Sequence, residues 1–134
     1  MGDDTRAWAR PDWYCDEVLS GKQAVERVYE NDLALAFHVA GERRLPKRAL
    51  HVLVIPKRHV PSLLDLTPAD APLVMALLDA VQGTARALGL EASGFYLRVN
   101  CLPPYQHTGH LHWHVMVDAT REESPTRRPG GAHN

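Results

Sequence analysis

The sequence predicts an α+β fold: a five-stranded antiparallel sheet carrying one long helix on one face, with one short helix near the start. Three observations point there. Apolar residues recur at helical spacing in a single long stretch, Leu73, Leu77, Val81, Ala85 and Leu88, widened by Val74 and Leu78. Short apolar or alternating runs before and after it read as strands, bounded by turn residues. The helical and strand-like patterns segregate along the chain rather than alternating.

Taken in order, Tyr14 to Ser20 reads as the short helix, stopped by Gly21. Ala24 to Glu30 and Leu33 to Val39 read as a hairpin turned at Asn31-Asp32. Ala49 to Ile55 is a strand halted by Pro56. Thr67 is placed to cap the long helix, with Pro68 at its first position, Asp70 completing the start and Gly89 beyond its end. Its apolar stripe is core. Gly94 to Asn100 and His110 to Val117 complete the sheet. Ala119 to Asn134 is rich in charge, Pro and Gly, and predicts a flexible tail in which His133 is inert.

Composition narrows the function classes. The 134 residues suffice for one compact domain with a real core. Hydrophobic content of 45% and charged content of 23% are ordinary for a soluble globular protein. A formal charge of −1 leaves no electrostatic footprint for nucleic acid. Arg43, Arg44, Lys47, Arg48, Lys57 and Arg58 form a local basic cluster, either a solvated loop and strand end or an attractor for a phosphorylated substrate. The two cysteines, Cys15 and Cys101, are no disulfide framework. No run approaches the length of a membrane span, and Met1 to Arg10 is polar and charged, so no membrane partner and a cytoplasmic location are expected.

The chemistry concentrates at His110-Leu111-His112-Trp113-His114-Val115-Met116-Val117. In a strand, alternation puts His110, His112, His114 and Met116 on one face and Leu111, Trp113, Val115 and Val117 on the other. Three imidazoles on one face are a costly core, because each ring carries nitrogens that need partners. Three explanations stand: a polar strand face, a metal site, or imidazoles doing chemistry near neutral pH.

Further blocks sharpen this. Gln106 precedes His110, Asn100 closes the run Phe95 to Val99, His51 opens a strand that exits through Pro56-Lys57-Arg58-His59, and Phe37-His38 ends the hairpin. Together these resemble the histidine triad family, whose signature is His-φ-His-φ-His-φ-φ with φ apolar. The resemblance covers residues 12–118, leaving 1–11 as an N-terminal extension and 119–134 as the tail. Leu111 and the third histidine match the small nucleoside phosphoramidase and hydrolase branch; the transferase branch reads His-Pro-His.

The resemblance implies a mechanism. The middle histidine, here His112, attacks the α-phosphorus of a nucleoside phosphoramidate or phosphate anhydride, and water then hydrolyses the nucleotidyl-histidine. Its other ring nitrogen donates to a backbone carbonyl on the same strand. His110, His114 and His51 bond phosphoryl oxygens or tune the nucleophile. Gln106 contacts the bridging atom of the leaving group, and Asn100 lies at the phosphate. No cofactor is required for the chemical step. The partners implied are a nucleotide-type small molecule and a second copy, in a homodimer with one continuous sheet.

The chain also departs from the family. The Ser or Thr that follows the glutamine is replaced by His107, which either donates a proton to the leaving group or faces solvent. The Asp that binds ribose hydroxyls after Phe-His is Val39, with Glu42 a substitute; Phe37 and His38 remain pointers to the substrate pocket. The Gly-rich loop is Cys101-Leu102-Pro103-Pro104-Tyr105, stiffened by its prolines; Tyr105 either closes over ligand or packs. Some bacterial members hold structural zinc with a Cys-x-x-Cys. Here Asp12 takes the first position, and Asp12, Cys15, His59 and His110 form a mixed candidate set; otherwise Cys15 is a small buried hydrophobe. The function expected is a nucleotide hydrolase cleaving P–N or P–O bonds. The alternatives are a nucleotidyltransferase, a non-catalytic nucleotide-binding module and a metal-dependent enzyme.

Overall fold

A computed structural model describes residues 4–39 and 48–118. Glu42 and the basic residues Arg43, Arg44 and Lys47, together with the tail and His133, lie outside these residues. Five strands form one antiparallel sheet in the order β1-β2-β3-β5-β4. They are β1 (Arg27–Glu30), β2 (Ala34–His38), β3 (Arg48–Pro56), β4 (Tyr96–Val99) and β5 (Trp113–Asp118). A long helix, α1 (Ala71–Ala87), and a single-turn helix, α2 (Leu90–Ser93), lie between β3 and β4. The predicted α+β architecture is the observed one. No helix among the described residues is long and apolar enough to cross a membrane.

Local chemistry explains the elements. The Asn31 side-chain oxygen accepts from the amides of Leu33 at 3.0 Å and Ala34 at 2.8 Å, and so turns the hairpin. Thr67 and Asp70 start the helical segment, the Asp70 carboxylate accepting from the Thr67 amide at 2.9 Å. The first turn, Pro68–Asp70, is a 3-10 turn, so α1 proper begins later than the cap predicts. Gly89 adopts φ 68°, the left-handed stop that the sequence indicates. The predicted short helix is a π-helical turn, Tyr14–Val18.

Alternation divides the sheet into two faces. Ala34, Ala36, Val52, Val54, Trp113 and Val115 pack with Leu73, Leu77 and Val81 of α1 in one buried cluster. Leu35, Phe37, Val39, Leu53 and Ile55 face the other way, covered by Tyr14 and Val18 of the π-helical turn. Trp113 thus lies under the long helix, away from the imidazoles.

The histidine run departs from expectation. The predicted strand over His110 to Val117 begins only at Trp113, so His110 and His112 precede β5. The register pairs Val54 with Trp113, and continuing it by two residues would oppose Leu111 to Pro56, which has no amide hydrogen to donate. The Leu111 amide instead donates to the Val60 carbonyl at 2.7 Å, and that of His110 to the Thr108 carbonyl at 2.8 Å.

The segment from Asp4 to Pro11 packs as a strap beside this entry. Arg10 forms an isolated parallel bridge with Thr108, its amide donating to the His107 carbonyl at 3.0 Å. Arg6 bonds Asp65 at 2.9 Å. Trp8 lies so close to Gly109 that a Cβ there would sit 2.7 Å from the indole.

Candidate active site

Where β3, β5 and β4 meet the strap and the π-helical turn, a cavity of about 940 Å³ opens. His51, His112 and His114 line it together with Asn100, His107 and Thr108. Trp13, Tyr14 and Phe37 form an aromatic wall, with ring centroids 5.2 to 6.5 Å apart.

His112 is held for a specific role. Its Nδ1 lies 2.7 Å from the His110 carbonyl oxygen, which can only accept, so Nδ1 carries the proton. Nε2 then bears the lone pair. Tyr14 stacks on the ring with centroids 5.0 Å apart. Burial pulls the imidazole below its ordinary value, against the His110 carbonyl, which favours the charged form. A neutral ring with a fixed tautomer is what a nitrogen nucleophile requires.

His114 and His51 form a second unit. Nε2 of His51 lies 2.8 Å from Nδ1 of His114, so one of these nitrogens donates to the other. Burial, reinforced by His112, His51 and Arg98, pushes His114 down to about 3. Nε2 of His114 is buried and has no partner among the described residues. A buried polar nitrogen without a partner costs stability, and a ligand oxygen could satisfy it.

His110 is built differently. It is wholly buried, with Nε2 3.0 Å from the Pro56 carbonyl and Nδ1 3.0 Å from Asp12 and 3.4 Å from the Cys15 sulfur. His59 completes the cluster, its Nδ1 2.8 Å from Asp12 and 3.5 Å from the Cys15 sulfur. All four donor atoms lie within 4.8 Å of one another. Tetrahedral zinc with bonds of about 2.0–2.3 Å sets its ligand atoms about 3.3–3.8 Å apart, so the donor set fits zinc after small adjustments. The Pro56 carbonyl would hold the tautomer that presents Nδ1 of His110 to a metal. Burial works against the Asp12 carboxylate, but His110 and the Cys15 amide outweigh it and hold the group well below the usual range. Burial, with Asp12 beside it, pushes the Cys15 thiol up to about 12, and a bound cation would reverse that.

Two residues expected at the substrate are placed elsewhere. The Gln106 amide is engaged by backbone: Nε2 donates to Pro61 at 2.7 Å and Thr108 at 2.8 Å, while Oε1 accepts from Leu102 at 2.9 Å. It is buried and braces the loop, in which Leu102 holds φ 70°. His38 pairs with Val52 and shares its face, so it lies on the α1 side while Phe37 and Val39 line the cavity. Strand alternation alone could have shown this.

Other lining residues escape motif reading. Arg98 is paired with His114 across the sheet, and its spacing from Asn100 put both on one face. Arg10, Asp16 and Glu17 enter from the strap and the π-helical turn, as no local pattern shows. Tyr105 stands at the mouth, 74% exposed.

Fold and cavity together define a class: open-sheet α+β proteins with a histidine cluster at the entry to an inner strand. A family model described as scavenger mRNA decapping enzyme C-term binding matches residues 12–128. An uncharacterized HIT-like protein of Synechocystis is 36% identical over 89 residues, 66% of this chain and 75% of the relative. One of Synechococcus elongatus is 37% identical over 101 residues, 75% and 84% of the two chains. A HIT family hydrolase from Legionella pneumophila superposes with TM-score 0.69 at 26% identity, covering 85% of this chain and 98% of its own. A histidine triad protein from Clostridium difficile gives 0.69 at 28%, covering 81% and 92%. The chain belongs to the histidine triad (HIT) family.

Proposed function

We propose that the protein is a hydrolase of nucleotide conjugates, cleaving the P–N or P–O bond at a nucleoside 5′-phosphoryl group through a nucleotidyl-His112 intermediate. The observation that carries this reading is the 2.7 Å bond from Nδ1 of His112 to the His110 carbonyl, which leaves a neutral Nε2 beside the cavity. The Legionella neighbour, named a hydrolase, is consistent with it.

In the first step the Nε2 lone pair forms a bond to the α-phosphorus. The bond to the leaving atom breaks, and its electron pair departs with that atom; an amine takes a proton from solvent. Water then attacks phosphorus, the P–N bond breaks and the ring returns to its neutral form, with the proton released. His114 Nε2 and Asn100 meet the phosphoryl oxygens, and His51 sets the orientation of His114. Trp13, Tyr14 and Phe37 take the base. Asp16 and Glu17, at the same end of the cavity, accept from the ribose hydroxyls in place of the missing carboxylate at Val39. Gln106 positions the loop rather than touching the leaving group.

Zinc, held by Asp12, Cys15, His59 and His110, would supply a cross-link between the π-helical turn, the chain after β3 and the histidine run. A homodimer would join two sheets through β4, an edge strand with Leu97 exposed.

Rapid acid quench of the protein with a fluorogenic adenosine 5′-phosphoramidate, followed by mass spectrometry, tests the reading. A peptide containing His112 carrying AMP is expected, absent in His112→Ala. Hydrolysis by His112→Ala at the wild-type rate would overturn it.

A further inference from the structure

Besides its imidazoles the cavity is lined by two guanidinium groups, Arg98 and Arg10, that the chemical step at phosphorus does not use. His114, pushed down by burial, is neutral at physiological pH and supplies none. Arg98 is its direct cross-strand neighbour on the same sheet face, within about 5.5 Å between Cβ atoms for such a pair. The Arg98 Nε is buried and has no hydrogen-bond partner among the described residues. An Arg nitrogen left without an acceptor in such a place is costly, and an anion is its natural complement. Arg10 faces the same cavity from the strap, beside His107, and no described acidic group pairs with it.

The acidic residues of the cavity, Asp16 and Glu17, belong to the π-helical turn at the aromatic end. The sheet order runs from β2, with Phe37, through β3 and β5, with the histidines, to β4, with Arg98. A base held by the aromatic wall therefore leaves Arg98 on the far side of the phosphorus.

We propose that Arg98, assisted by Arg10, makes this site selective for nucleotide conjugates whose departing group bears its own negative charge: a phosphate, a sulfate or a carboxylate. This rests on the nucleotidyl-histidine reading above. The bonds made and broken are those already described; the guanidinium groups bind the charge of the departing group and exchange no proton with it.

The test compares kcat/KM of the full chain for adenosine 5′-phosphoramidates of tryptamine and of aspartate, which share the same P–N bond, and for adenosine 5′-phosphosulfate. The wild type is expected to favour both anionic probes, with a preference that weakens as salt rises. Arg98→Gln should lower the anionic-to-neutral ratio by about ten-fold, Arg98→Lys should restore part of it, and Arg10→Gln should lower it by a smaller factor. A preference for only one anionic probe would identify whether carboxylate or sulfate is the group recognised, and so support the proposal in that form. If Arg98→Gln does not fold, Arg98→Lys, Arg10→Gln and the salt series carry the same readout. A ratio unchanged in every folded variant, with all probes still forming the His112 adduct, overturns this inference and leaves the hydrolase reading standing. Absence of any adduct in the wild type overturns both.

Discussion

At the scale of single residues, three chemically identical rings within five positions are given different work by the atoms around them. His112 donates Nδ1–H to a carbonyl two residues back and keeps a free lone pair. His114 meets His51, and His110 meets Asp12, Cys15 and a carbonyl. His112→Ala is expected to lower kcat/KM on an adenosine phosphoramidate by at least about 10³-fold while leaving the melting temperature close to wild type, since its ring lines a cavity rather than filling the core. His114 also makes a pH prediction. Its folded value of about 3 lies below the ordinary 6.5, so the unfolded chain binds a proton that the folded chain does not. Its contribution to stability is complete above about pH 6.5 and is lost as pH falls toward 3. Thermal melts between pH 7 and 4 should show a decline, and His114→Gln should flatten it. An equal slope in that variant would remove His114 as the cause.

The elements that matter most are the shortest. The strap from Asp4 to Pro11 holds the loop before the histidines through the Arg10–Thr108 bridge, the Arg6–Asp65 pair and the close fit of Trp8 on Gly109. Gly109→Ala would place a methyl group against the indole and push the strap outward. The expected cost is about 1–3 kcal/mol, accompanied by faster hydrogen exchange at the Arg10 amide, which otherwise donates to His107. Trp8→Ala in the same chain should recover the stability lost to the clash but not the protection of Arg10. The π-helical turn plays the corresponding part opposite, since Tyr14 both caps the second core and stacks on His112. Tyr14→Ala therefore combines a core cavity with a freed nucleophile ring, and should lower stability by about 3 kcal/mol and kcat together.

For the whole molecule, the Asp12–Cys15–His59–His110 cluster connects regions far apart in sequence. If zinc occupies it, metal analysis will find about one ion per chain, a strong chelator will lower the melting temperature, and Cys15→Ser will reproduce that drop. A melt indifferent to chelator and to Cys15→Ser would show that the hydrogen bonds suffice alone. The fold class, the hairpin at Asn31, the long helix with its Thr67 start and Gly89 stop, and the histidine signature were all legible in the sequence. Each depends on local periodicity, capping or spacing, which neighbouring residues settle by themselves. The strand boundary at Trp113 was not legible, because it depends on Pro56 arriving opposite Leu111. Nor was the inward turn of Gln106, because its acceptors, Pro61 and Thr108, and its donor, Leu102, converge only when two loops pack. Arg98 could have been placed beside Asn100 by parity, but not beside His114, for that requires the β4–β5 register. The sequence alone thus determined which backbone elements form and which residue types they carry. Only the tertiary structure decided how each imidazole is held and which of them face the cavity, because hydrogen-bond partners and burial come from segments that meet only once the sheet has assembled.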